Sequence, residues 1–463
     1  MLSTIPDSGR KLSYDCLKCV IQKLEVNLRF QIVKRLPSLN LVEKAAPLYI
    51  SELSICEEGF HLNDTKYKLG VIRHALDGPN PEIIKDENRR GGTEKDIDRF
   101  GFEKYSLPEL TPGDILIRDF YPEMELDNDL DSVQARVVES RKRLTILERH
   151  KMELEHASEK ELENIPEYPV EREQDQLDRS REKRLERIND SILDMKRDLE
   201  YEELNLQCYQ CKRDNRPSPY DMFIQLTKTS PDGTVYIERF NYDRSLKEAR
   251  KYLISKLLGN RRVVTKIKSL SFWASPDEGL VVGLPEGIKL DVQEFGTSGQ
   301  LSEVLPRVEA ILEHPNRPFA RLDSNGLRLE DAQNPKVREA GILGLYGSLD
   351  VDLITALCRE LPNKKFVTTC GLAMKPRDYV MIVENLIDTK GTLGTCYEIR
   401  QSIELNAKEA LKTIAERFEN AVVGERLVTI PLPNQLQLDV SLAQDQFVSI
   451  ISTHTIKMEV VQS

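Results

Sequence analysis

One tryptophan and six histidines in 463 residues leave little material for metal chemistry or for aromatic ligand platforms. The histidines (His61, His74, His150, His156, His314 and His454) form no pair at ligand spacing. Cysteine is thin as well: eight thiols, at 16, 19, 56, 208, 211, 358, 370 and 396, are spread over the whole chain. Residues 1 to 11 lack an apolar core after a basic start, so the expectation is an intracellular chain, cytoplasmic or nuclear, with reduced thiols. No apolar run approaches the roughly 18 residues needed to span a bilayer, and no membrane partner is expected. A net charge of -11 argues against general nucleic-acid affinity, which draws on clustered Lys and Arg.

Reaction signatures are missing too. There is no nucleophile elbow, zincin helix or kinase signature set. The glycines of GILGLYG (Gly341, Gly344, Gly347) are followed by no Lys-Ser/Thr and read as turn glycines, not a phosphate loop. Carboxylates are so numerous that no acid/base pair stands out. The chain reads as non-enzymatic, with no catalytic residue, cofactor or metal.

Two Cys-x-x-Cys pairs, Cys16/Cys19 and Cys208/Cys211, have the form of a split four-cysteine zinc site. Such a site places its pairs in short loops, about 12 to 20 residues apart. Here about 190 positions separate the pairs, and each falls on an expected helix. They read as small residues facing a core, with metal and redox roles as the alternatives.

What is abundant is charge: 31% of residues are charged, against 40% hydrophobic, as in a chain with long solvated helices. Leu17, Val20, Ile21, Leu24, Leu28, Ile32 and Leu36 follow a helical stripe that breaks at LEVN and stops at Pro37. PLYISELSI (47 to 55) and FHLNDTKYKLGVI (60 to 72) alternate as strands, with Asn63-Asp64 as a hairpin turn. Residues 77 to 114 read as a long irregular connection with few buried positions, followed by a short strand at 115 to 118.

From 128 to 212 strong helix formers take over. Val133, Val137, Leu144, Leu147 and Leu154 form one seam; Leu185, Ile188, Ile192, Met195, Leu199 and Leu206 form another. The prolines of NIPEYPVE break the chain between them, so an antiparallel hairpin is expected, with a coiled-coil dimerisation arm as the alternative. Beyond 213, strand-like stretches alternate with helical ones near 245–258, 300–313, 349–360, 376–389 and 406–420. FARLDSNGLRLED hints at leucine-rich-repeat chemistry without a strict repeat. Trp273, in SLSFWASP, reads as core or rim packing. The expected class is α/β (α+β mixed). It divides into a helical segment 1–46, a small strand-containing region 47–127, a charged helical hairpin 128–212 and a C-terminal α/β domain 213–463. The sheet of that last domain is expected to be irregular and repeat-like, with helices packed on it.

The opening segment resembles an F-box, a compact helical unit, through Leu12, Asp15, Leu17, Val20, Ile21 and Leu24. Ser13 stands where that motif has Pro, and no Trp follows the KRLPSL region. LRFQIVKRLPSLNLVEKAAPLYISEL, GGTEKDIDRFGF, LTPGDI, CKRDNRPSPYDMFIQLT, LLGNRR, LPEGIKLDV and GTCYEI are similar to stretches of a nematode family, the F-box C proteins, which carry an uncharacterised family-specific domain. The resemblance implies a substrate-recognition subunit of a cullin-type ubiquitin ligase. Its N-terminal helices, with the six residues just named, would bind the small adaptor subunit, and its C-terminal region a target protein. The contrasting expectation is a structural or self-associating scaffold, with the helical hairpin as its assembly element.

Overall fold

The computed structural model describes residues 13–105, 109–118, 129–158, 180–275, 279–346, 351–369, 374–401, 404–444 and 454–463. The architecture is mixed α/β, and among the described residues fifteen strands join in one sheet. Its centre is parallel: β1 (Tyr49–Cys56), β7 (Thr265–Phe272), β9 (Leu290–Gln300), β10 (Arg321–Gly326), β11 (Ile342–Leu345), β12 (Lys365–Thr369) and β13 (Cys396–Gln401) lie side by side. From β9 to β13 the spatial order follows the chain order and never reverses. With right-handed crossovers, that places the intervening helices on one face.

One rung explains why the strands form. Leu53, Leu270, Phe295, Leu322, Leu343, Phe366 and Tyr397 stand opposite one another across the seven parallel strands, all buried. Each such side chain contributes about 1.5–3 kcal/mol of transfer free energy. The helices answer with their own stripe: on α8 (Leu301–Glu309), Leu301, Val304, Leu305 and Val308 are buried at helical spacing. The next rung along, Ser271, Gly296, Asp323, Gly344, Val367 and Glu398, points away from that core and is mostly small or polar.

An antiparallel meander flanks each side. On one, β2 (Gly59–Leu62), β3 (Thr65–Ala75), β5 (Tyr220–Thr229) and β6 (Val235–Asn241) continue outward from β1. On the other, β17 (His454–Gln462), β16 (Leu436–Gln444), β15 (Leu427–Leu432) and β14 (Val422–Val423) continue from β13. Strands on both sides of the helical hairpin therefore share one sheet. Two further strands, β4 (Asp114–Arg118) and β8 (Leu280–Gly283), pair separately, and their Ile115, Ile117, Leu280 and Val282 join the main core.

The hairpin consists of α5 (Leu130–His156) and α6 (Arg181–Arg213). The Arg136–Glu202 and Glu148–Lys196 ion pairs match positions that rise along α5 with positions that fall along α6, which fixes it as antiparallel. Leu147, Leu154, Ile188 and Ile192 bury one another, with Leu144, Leu185 and Met195 against them. Leu206 is only half-buried, and near that end of α6 Cys208 and Cys211 are buried. The prolines of NIPEYPVE lie outside the described residues.

Three expectations are corrected. Residues 77 to 114 are not irregular throughout: α4 (Glu82–Arg89) lies there, and Ile84 and Ile97 are buried at 0% and 3% exposure. The GILGLYG glycines are not all turn residues, because Gly344 sits inside β11, where an added Cβ would fall 1.9 Å from the Asp323 carboxylate. The alternation His454, Ile456, Met458, Val460 makes β17 a strand that the sequence reading does not find.

Candidate protein-docking site

The N-terminal helices are built by local capping and then fixed to the sheet by buried polar groups. Ser13 opens α1 (Tyr14–Lys23) by accepting from Cys16 N–H at 3.2 Å. Glu25 opens α2 (Val26–Arg35), accepting from the amides of Asn27 and Leu28 at 2.7 and 3.1 Å. A short turn from Pro37 then leads into α3 (Asn40–Ala45).

The expected docking stripe is divided between two faces. Ile21, with Leu17 packed beside it, is buried against Val42 and Ala46 at the other end of the same unit. Val20 is exposed at 47%, Leu24 is half-buried and Asp15 is exposed. Leu12 lies outside the described residues. Apolar side chains remain in solvent on all three helices: Val20 on α1, Leu28 on α2 and Leu41 on α3, the last at 74% exposure, with Leu36 at the end of α2.

The residues that hold this unit in place were not singled out from the sequence. Asn27 donates to Leu62 O at 3.1 Å and accepts from the Tyr67 hydroxyl at 2.7 Å, pinning α2 to the β2–β3 hairpin. Asn63, in the left-handed conformation (φ 49°) at that turn, donates to Glu25 at 3.1 Å. Deeper in, the Glu43 carboxylate is shared by Arg29 at 2.8 Å and Arg261 at 2.6 Å, all three side chains at most 4% exposed. Burial pushes both guanidinium pKa values down, and the Glu43 charge works against that shift. Lys44 donates to Leu257 O at 3.1 Å, at the end of α7 (Leu246–Leu258), and burial lowers its ammonium pKa to about 8, helped by nearby Arg261. A sequence signal for this cluster is faint: Arg29 falls three positions after Val26 on the core-facing side of α2, and its distant partner Arg261 lies in LLGNRR.

The two cysteine pairs do not meet. Cys16 and Cys19 are exposed on α1, while Cys208 and Cys211 are buried in α6. Burial pushes the Cys208 thiol up to about 12, and its sulfur would lie 2.9 Å from a Cβ added to Gly101. Among the described residues, no three His, Cys, Asp or Glu side chains gather in a way that would hold a metal ion.

Two further places carry clustered polar groups. A cavity of about 540 Å³ is lined by Asp96, Tyr242, Lys247 and Arg250 among others. Two of its charges are engaged: Asp96 accepts from Tyr242 and from the first amide of α7, and Lys247 is bonded to Asp114. The sheet face turned away from the core carries a polar cluster. Arg321 is bonded to Asp323 at 2.9 Å and to the Tyr346 hydroxyl at 2.6 Å, and the Trp273 ring lies against Gly296. Trp273 is half-buried on this face, not in the core.

Residues 245–402, from α7 through β13, match a family described as a domain of unknown function (DUF3557). No curated protein and no solved structure matches the chain. No described helix is long and apolar enough to cross a membrane.

Proposed function

We propose that this chain, which carries a DUF3557 domain over residues 245–402, is a non-enzymatic interaction subunit. It docks through α1–α3 on the small adaptor of a cullin-type ubiquitin ligase and offers the outer face of its parallel sheet to a target protein. The observation that supports this reading is the set Val20, Leu28, Leu36 and Leu41, apolar and exposed on a helical unit that buried ion pairs mount on the sheet. Helices that insert apolar side chains into a partner's groove use such a set. A mount of this kind matters physically: the adaptor surface and the target face belong to one body, so little ordering cost is incurred on binding. The Arg321–Asp323–Tyr346 cluster and Trp273 give the target face polar groups and one large ring.

Self-association through the helical hairpin receives less support, because Leu147, Leu154, Ile188 and Ile192 already bury one another within it. The test is capture of the full chain by immobilised adaptor. Wild type is expected to bind, and Val20→Asp/Leu41→Asp to lose binding with its melting temperature retained, since both positions are solvent-exposed. Ile21→Asp is a poorer probe, because that side chain is buried in the unit. Failure of wild type to bind, or equal capture of the double variant, contradicts the proposal.

A further inference from the structure

Among the described residues β6 is an open edge of the fifteen-stranded sheet, and it is unlike the opposite edge. Proteins blunt free edges with short strands, lysines, prolines or bulges. The opposite edge, β14, is two residues long. β6 runs for seven residues in unbroken register with β5, and its VYIERFN contains neither Lys nor Pro. Val235, Tyr236, Ile237 and Phe240 are each about half exposed, so both faces of the strand meet solvent.

The direction of the main-chain groups follows from the turn. Ser230 N–H donates to Thr234 O at 3.0 Å, and hydrogen-bonded pairs recur at every second residue of an antiparallel ladder. Tyr236, Glu238 and Phe240 therefore bond inward to β5. The N–H and C=O groups of Val235, Ile237 and Arg239 point outward, in a row whose spacing matches another extended strand.

We propose that β6 pairs antiparallel with β6 of a second copy of this chain, forming a two-fold dimer centred on Ile237. A two-fold axis normal to the sheet keeps each side chain on its own face, and in the two registers nearest the middle of β6 either Ile237 or Glu238 stands opposite its own copy. Centring on Glu238 sets like charges face to face, which disfavours that register. Centring on Ile237 sets Val235 opposite Arg239 and Tyr236 opposite Glu238. Charge complementarity then selects a second copy as the occupant. Lys34, an exposed side chain, is paired with Glu238 and sits 5.6 Å over the Tyr236 ring. In the Ile237 register, Glu238 of the second copy comes to that same ring, so each Lys34 lies between two carboxylates. The contact is isologous and closes on itself. It does not rest on the adaptor reading.

Light scattering on the eluting full chain tests this. Wild type is expected at twice the 53.1 kDa chain mass. Ile237→Pro removes an N–H that β5 does not use, so the fold is retained and the mass falls to that of one chain. Ile237→Lys, which sets two cations at the axis, is expected to do the same and decides the matter if the proline variant misfolds. Under mild oxidant, Ile237→Cys should yield a covalent dimer above the wild-type background from Cys16 and Cys19, whereas Glu238→Cys should not. A single-chain mass for wild type, a dimer that survives Ile237→Lys, or crosslinking through Glu238→Cys in place of Ile237→Cys overturns the proposal.

Discussion

Replacing Glu43 by alanine removes the carboxylate that Arg29 and Arg261 share at 2.8 and 2.6 Å. The two guanidinium groups, 2% and 3% exposed, then lie buried without a counter-charge. Some of their hydrogen bonds survive: Arg29 still donates to Pro47 O at 2.8 Å and Arg261 to Leu257 O at 3.1 Å. Breaking a buried pair by removing one partner costs about 3–5 kcal/mol. With these carbonyl contacts retained, the lower end, about 3 kcal/mol, is the figure to expect. The loss should also be local, because Glu43 joins α2 and α3 to the loop after α7. Urea unfolding measures the total. Hydrogen exchange reads the location: amides of α1–α3 should exchange faster while β7 and β9 keep their protection. A loss below about 1 kcal/mol, the range of an exposed ion pair, with unchanged protection in α1–α3, would refute the reasoning.

Three other outcomes are expected. The folded pKa of Lys44, about 8, lies below its ordinary 10.5, so the unfolded chain binds more protons between those values. Wild type should therefore gain stability relative to Lys44→Met as pH rises from 8 toward 10, and lose it as pH falls through 8; denaturation at several pH values shows the slope, and a flat difference contradicts it. Cys16 and Cys19 should be alkylated in the native chain, whereas Cys208, buried and with its thiol pushed up to about 12, and buried Cys211 should react only after unfolding, as mapped by mass spectrometry. Gly344→Ala places a Cβ 1.9 Å from the Asp323 carboxylate, which must move and disturb its contact with Arg321, at a cost of about 1–3 kcal/mol; a thermal melt identical to wild type would show that the site relaxes freely.

Much of the fold is legible in the sequence where local signals agree. α7 begins with a capping box of Ser245 and Glu248 and carries Leu246, Ala249 and Leu257 at helical spacing, so pattern and cap point to the same boundary. The Asn63-Asp64 turn is equally plain, because Asn accepts the left-handed backbone found there. α4 is missed because Ile84 is its single buried apolar residue, and one such residue makes no periodicity. β11 is missed because Gly344 serves close packing under Asp323, a reason that only the neighbouring strand supplies. The docking stripe shows a deeper limit. Apolar spacing from Leu17 to Leu24 states that a helix has an apolar face, but not what that face meets. Ile21 meets Val42 and Ala46 of its own unit, while Val20, one position earlier, faces solvent. The Arg29–Glu43–Arg261 cluster is invisible at sequence level because Glu43 and Arg261 lie 218 positions apart.

The measurement that bears most directly on the functional account is a binding titration of the purified full chain with the purified ligase adaptor. The account predicts saturable binding. It also predicts a loss of about 2 kcal/mol or more for Val20→Asp/Leu41→Asp, which is a weakening of roughly 30-fold, with unfolding transitions unchanged. No saturable binding by the wild-type chain, or an affinity that is the same in the double variant, would contradict it.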